Sequence, residues 1–298
     1  MIEHRPRSPS ELVDAAFALL RRDYLRFCLT TAVLTAPWLV VQLTLRRALN
    51  LNPQAATAAD FVPFLWLTLA SVVWIALVAA VLSQLAAGVY EDRPIDPPVA
   101  LRAGARRWAV VLGALLLKYL IVVCFFLGGL LGGALLGSPV IILNKGAPSG
   151  VDALLLTAAM MVGGVLLSLV PLARYAPVAS IASLERVGPL GALRRSRALV
   201  KGHAKAALGV TLLVFVLYMI VGIGASVLAS AIDKEILPHV VSTILTVLAY
   251  PLIVVVNVVL YYDLRIRGEG YDLELMTRQL ASPDARADGA PSVAVTGA

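Results

Sequence analysis

The 298-residue chain is 60% hydrophobic and only 14% charged, with a positive mean hydropathy. That composition excludes an ordinary soluble domain. The formal charge of +7 does not form the concentrated basic face with interleaved base readers that nucleic-acid binding requires.

In chain order, the first predicted element begins at Ser8-Pro9-Ser10-Glu11. Ser8 caps the helix, Pro9 fills the first helical position without wasting an amide, and Glu11 completes a capping box. The following residues place Leu12, Val13, Ala16, Phe17, Leu20, Tyr24 and Phe27 on one stripe, with Glu11, Asp14, Arg21, Arg22 and Asp23 in polar directions. Such a helix is too charged to cross a membrane. It lies in the inner interface, packs on the bundle as a cytoplasmic helix, or does both. The first 26 residues lack the apolar core and small-residue cleavage site of a signal peptide, so the first span is expected to act as an uncleaved anchor.

Six apolar runs follow, at 27–45, 61–90, 108–144, 153–173, 206–232 and 236–262. Each is long enough to cross about 30 Å of hydrocarbon, and the longer ones must tilt, kink or project beyond it. The expected fold is therefore all-α: a polytopic membrane domain over 1–278 with a disordered tail over 279–298. Six crossings leave no room for a soluble catalytic domain.

Ser8-Pro9, Asp96-Pro97 and Gly188-Pro189 each precede a basic stretch and two apolar runs. This predicts three repeats, at about 8–93, 96–186 and 188–267, of an elbow helix leading into a helical hairpin. The elbows fall at about 9–26, 97–107 and 189–201. Gly202 is placed to end the third in a left-handed conformation. Each unit closes with acid and base together: Glu91-Asp92-Arg93, Glu185-Arg186 and Asp263-Leu264-Arg265. Glu91, Arg93, Glu185, Arg186, Asp263 and Arg265 are read as structural ion-pair residues that link neighbouring elbows. Active sites seldom occur in triplicate.

Overlapping small-residue patterns at Gly128, Gly129, Gly132, Gly133 and Gly137, at Gly163 and Gly164, and at Gly222 with Ser226 mark close helix packing. Pro37, Pro171, Pro177 and Pro251 are expected to kink or end helices, and 137–152 reads as a loop. Cys28 and Cys124 lie in or beside spans and suggest no disulfide framework.

Six spans put both termini on one side. Twenty Lys/Arg fall on that side and four on the other, with Lys118 inside a span. The positive-inside rule makes the richer side cytoplasmic, in a cell inner membrane.

Chemistry is sparse. Lys118 lies ten residues, roughly 15 Å, beyond Trp108 in the third run, beside Tyr119, and Arg174 sits beside Tyr175 near the inner end of the fourth. Either these cations snorkel to the interface or, with the tyrosines, they receive an anionic headgroup. Arg194, Arg195, Arg197 and Lys201 form the most basic segment, which either binds anionic lipid or only enforces topology. No carboxylate lies within a run except at its ends, which disfavours a proton relay or cation pathway. His4, His203 and His239 lack metal-ligand spacing, and no cofactor motif is present.

The stretches 184–196, 199–203 and 260–273, with the opening helix over 11–26, resemble the membrane domain associated with some glycerophosphoryl diester phosphodiesterases and its uncharacterised stand-alone relatives. The ending Tyr261-Tyr262-Asp263-Leu264-Arg265-Ile266-Arg267 is the most specific part. The resemblance implies a six-helix membrane domain. In the fused enzymes hydrolysis belongs to a separate barrel, so the resemblance implies no activity and no residue role here.

The sequence is read as a non-enzymatic membrane scaffold or lipid-interacting module. The alternative is a transporter or flippase-like protein for an anionic or lipidic substrate, and a protein partner or homo-oligomer stays open. A topology prediction follows. Single cysteines at Gly146 and Lys234 should react with an impermeant reagent on intact cells, whereas ones at Arg93, Ser196 and Asp284 should not. The reverse pattern would overturn the orientation.

Overall fold

The computed structural model describes residues 8–48, 61–93, 95–143, 150–230 and 237–271. Among them every regular element is a helix: α1 Pro9–Arg22, α2 Tyr24–Ala48, α3 Phe61–Tyr90, α4 Pro97–Leu143, α5 Gly150–Arg174, α6 Val178–Leu184, α7 Pro189–Val200, α8 Ala204–Ser230 and α9 Leu237–Glu269. Six stretches are long and apolar enough to cross a membrane: Tyr24–Ala48, Leu65–Tyr90, Pro97–Leu135, Ala153–Leu184, Ala204–Leu228 and Val240–Glu269. The expected tail over 279–298 lies outside the described residues.

Local chemistry accounts for the helix ends. The Ser8 hydroxyl accepts from the Glu11 amide at 3.3 Å, and the Glu11 carboxylate accepts from the Ser8 amide at 2.8 Å, closing the expected capping box. α1 breaks from α2 at Asp23, whose φ of −137° leaves the helical region. Gly202, at φ +89°, separates α7 from α8 as expected. The second elbow has no such break. Residues 97–107 continue into a 47-residue α4, because neither a left-handed glycine nor an aspartate interrupts the chain after Arg107. That helix is roughly 70 Å long and must extend beyond a bilayer. The loop expected over 137–152 is helical through Leu143 and again from Gly150, while 144–149 lie outside the described residues. Pro37, Pro171 and Pro251 sit inside their helices without ending them, and Pro177 caps the short α6.

The core is concentrated at one end of the bundle. Buried side chains come from α1 (Leu12, Leu19), the last half of α3 (Val78, Val81, Leu82, Tyr90), α6 (Ile181), α7 (Leu199) and the last half of α9 (Val255, Leu260, Leu264). Elsewhere the helices present large apolar residues outward, among them Trp66, Leu131, Leu154, Ile220 and Ile223. Such a surface suits lipid, where helices associate through close packing rather than water-driven burial.

Small residues set the close crossings. Leu12, Ala100 and Ala192, three residues after Pro9, Pro97 and Pro189, are fully buried, as are Ala16, Gly104 and Ser196 four residues further on. A Cβ on Gly104 would stand 2.7 Å from the Val81 Cα of α3, and the Ser196 hydroxyl donates to the Arg174 carbonyl of α5 at 2.9 Å. Where α4 crosses α5, a Cβ on Gly129 would collide with the Gly163 backbone and one on Gly133 with Ala159 and Met160, whereas Gly132 has nothing within 4 Å. Gly133→Leu should therefore cost about 1–3 kcal/mol through overpacking, and Gly132→Leu should stay within about 0.5 kcal/mol of the parent. Thermal unfolding of the detergent-purified variants measures the difference. Equal melting of the two would refute the crossing.

Candidate functional site

The end of α9 gathers the ends of the other helices. Tyr262 donates to Oε1 of Glu91 at 2.8 Å, just past α3, and Tyr261 donates to Oε1 of Glu185 at 3.0 Å, just past α6. Adjacent residues on a helix point about 100° apart, so one Tyr-Tyr pair reaches two neighbouring helix ends at once. Beyond Glu269, Gly270 takes φ +63°, a conformation glycine adopts without steric cost, and donates to the Ile266 carbonyl. The turn folds Tyr271 back so that its hydroxyl also donates to Oε1 of Glu91, at 3.0 Å.

The rings form a column. Tyr90 stacks on Tyr262 with centroids 4.2 Å apart and planes 4° from parallel, Tyr262 meets Tyr271 at 5.5 Å, and the Arg265 guanidinium lies 3.9 Å over Tyr271. Stacked aromatics and a guanidinium on a ring face are both favourable, the latter more so when partly desolvated. Arg265 also donates to Glu269 at 3.2 Å. Glu269 in turn accepts from Arg195 of α7 at 2.8 Å, and Arg195 donates to both oxygens of Glu185 at 3.2 and 3.1 Å. The hydrogen bond to Glu269, supported by the charge of Glu185, raises Arg195 above its ordinary pKa against the opposing effect of burial.

Arg107, near the start of α4, serves a related purpose. Its guanidinium donates to the carbonyl of Ala182, at the open end of α6, and to those of Glu185 and Val187 in the turn that follows. Gln84 of α3 donates to the Ser183 carbonyl at 2.8 Å, and the Ser183 hydroxyl donates to the Ala80 carbonyl at 2.9 Å. Arg22 of α1 pairs with Asp92 at 3.0 Å.

α3 ends in a double cap: the Asp92 amide donates to Val89 and the Arg93 amide to Gly88, with Asp92 itself at φ +53°. Gly88 is needed for this return, since a Cβ there would come within 2.9 Å of the Arg93 carbonyl and 2.8 Å of Ile95. The return borders an open cavity of about 450 Å³ lined by Gln84, Ala87, Gly88, Glu91, Arg93, Ile95, Leu184, Tyr261, Tyr262, Arg265 and Tyr271.

The residues singled out from sequence do not fall in one place. Glu91, Glu185, Arg195 and Arg265 join the hub, whereas Asp263 is buried and pairs with Arg267 at 2.7 Å within α9. Arg93 lines the cavity, and Arg186, Arg174, Arg194, Arg197 and Lys201 are exposed, with Tyr175 packed against the core. Lys118 stands apart, half-buried in α4, its Nζ 5.8 Å from the Tyr119 ring. Sequence reasoning missed Gln84, Arg107, Glu269 and Tyr271. Two of these carried a signal, Arg107 as a basic residue closing the second elbow and Tyr271 as an aromatic just after Gly-Glu-Gly.

Compared with known proteins, the chain matches no family model, no curated sequence and no solved structure. The site is therefore interpreted from its own geometry. Tyr262→Phe keeps the ring column but leaves Glu91 short of one donor, and should cost about 1–3 kcal/mol. Tyr262→Ala also removes the stack and should cost about 3–5 kcal/mol. Chemical denaturation in mild detergent would rank them, and a neutral Tyr262→Phe would dissolve the hub.

Proposed function

We propose that the protein is a non-enzymatic integral membrane module that holds anionic lipid headgroups against the basic end of its bundle. One observation carries this reading. Arg21, Arg93, Arg102, Arg106, Arg174, Arg186, Arg194, Arg197, Lys201 and Lys205 are exposed at the hub end, and none has a side-chain partner among the described residues. Each such cation near an anionic surface contributes about 1 kcal/mol. Glu185 and Glu269 are committed to Tyr261, Arg195 and Arg265, which supports binding over acid–base chemistry.

In this reading the basic end is cytoplasmic, and α1, the first turns of α4 and α7 are three equivalent elbows. The shared burial three and seven residues after each proline supports the equivalence. The pairing of Arg22 with Asp92, Arg107 with the 182–187 carbonyls and Arg195 with Glu269 does so too. In each case the basic residue holds the chain at or just past the end of its own unit. The resemblance at 184–203 and 260–273 to the phosphodiesterase-associated membrane domain fits the same non-catalytic role.

Lys118 favours a second reading, a transporter or flippase-like protein, because it sits deep in a span with no carboxylate partner among the described residues. Native mass spectrometry with phosphatidylglycerol tests both. The triple change Arg194→Gln, Arg197→Gln, Lys201→Gln should lower retention of that lipid several-fold, and Arg47→Gln at the opposite end should not. If Lys118→Met alone abolished retention while the triple variant kept it, the lipid site would lie within the span. Retention unchanged in all three variants would remove the headgroup proposal.

A further inference from the structure

We propose that the 450 Å³ cavity beside the tyrosine hub binds a zwitterionic phosphoester with a primary ammonium group, of the phosphoethanolamine type. This goes beyond the anionic-lipid reading, whose cations other than Arg93 lie outside the cavity.

The wall chemistry carries the assignment. Glu91 receives both phenols on Oε1, and its Oε2 has no partner among the described residues. Gln84 commits its Nε2 to Ser183, so its remaining polar atom is the acceptor Oε1. Those two acceptors match an ammonium group. Arg93 has a guanidinium with no partner among the described residues, and guanidinium groups match phosphate oxygens in a two-pronged geometry.

Glu91 and Arg93 are two residues apart and line one cavity because Asp92 turns the chain at φ +53° and Gly88 admits the return. The cavity falls in the range of about 300–1,000 Å³ typical of small-molecule sites. A simple anion would face the Glu91 carboxylate, a simple cation would face Arg93, and an apolar ligand would answer neither Arg93 nor the Glu91 Oε2. Only a ligand with both charges answers the whole wall. A lipid headgroup and a free solute share this chemistry.

Titration calorimetry on the purified full chain in detergent tests it, with O-phosphoethanolamine and dihexanoyl-phosphatidylethanolamine as probes. Dihexanoyl-phosphatidylglycerol serves as the amine-free comparator. Wild-type protein should bind at least one ethanolamine probe, and more tightly than the glycerol lipid. Equal affinity for both ethanolamine probes assigns recognition to the headgroup alone, and binding of the lipid only assigns it to a bilayer-borne headgroup.

Arg93→Gln and Glu91→Gln should each weaken binding about tenfold or more, the loss expected for a charge-assisted hydrogen bond. Arg93 is exposed and makes no side-chain hydrogen bond or ion pair among the described residues, so its variant folds even if Glu91→Gln does not. The α7 triple variant should bind the ethanolamine probe as the parent does, which separates this cavity from the anionic surface. No saturable binding of either probe, equal or tighter binding of the glycerol lipid, or an Arg93→Gln variant with parental affinity would each overturn the assignment.

Discussion

Two phenol-to-carboxylate hydrogen bonds, Tyr262 to Glu91 and Tyr261 to Glu185, hold this bundle together at its basic end. In a lipid-facing protein, the hydrophobic effect does little to choose among helix arrangements, because hydrocarbon solvates an apolar helix as well as another helix does. Directional contacts then decide which helix ends meet. A half-buried carboxylate that lost its phenol donor would stay partly desolvated with no partner in return. The Tyr-Tyr pair is short, rigid and placed by α9, so it fixes two helix ends with one element.

The remaining polar contacts reinforce that choice. Arg195 joins Glu185 to Glu269, and Arg107 satisfies the Ala182 carbonyl that α6 leaves open. The cavity is a by-product of the same geometry. Tyr271 and the 93–95 return both fold toward Glu91, and the space between them stays open because Gly88 carries no side chain. Structure and candidate site thus depend on the same few residues. Variants of Arg93 or Gln84 address the site more cleanly than variants of the tyrosines.

The far end of the bundle is built on a different principle. There α4 and α5 approach through glycine against glycine, with few polar contacts, and Gly129, Gly133 and Gly163 leave room for backbone against backbone. The basic end is pinned by directional bonds and the opposite end by dispersion. The first resists replacement of polar groups, and the second resists added volume.

The sequence alone determined the six apolar helices, because length and hydropathy against the thickness of a bilayer leave little alternative. It also determined the Ser8 cap and the Gly202 break, because both are local: a hydroxyl three residues from its amide, and a conformation glycine alone reaches cheaply. The continuous α4 was not legible, since an expected elbow differs from a helical first turn only by a break that no residue after Arg107 supplies. Nor could spacing show which carboxylate meets which tyrosine: Glu91 and Tyr262 are 171 residues apart, Glu185 and Tyr261 76. Charge pairing made Glu91 an expected partner of arginine. Packing gave it two phenols instead, because Tyr262 of α9 and Tyr271 just beyond it arrive at its side of the bundle and Arg93 lines the cavity. Such partnerships exist only once the helices stand side by side, so tertiary structure alone decided them.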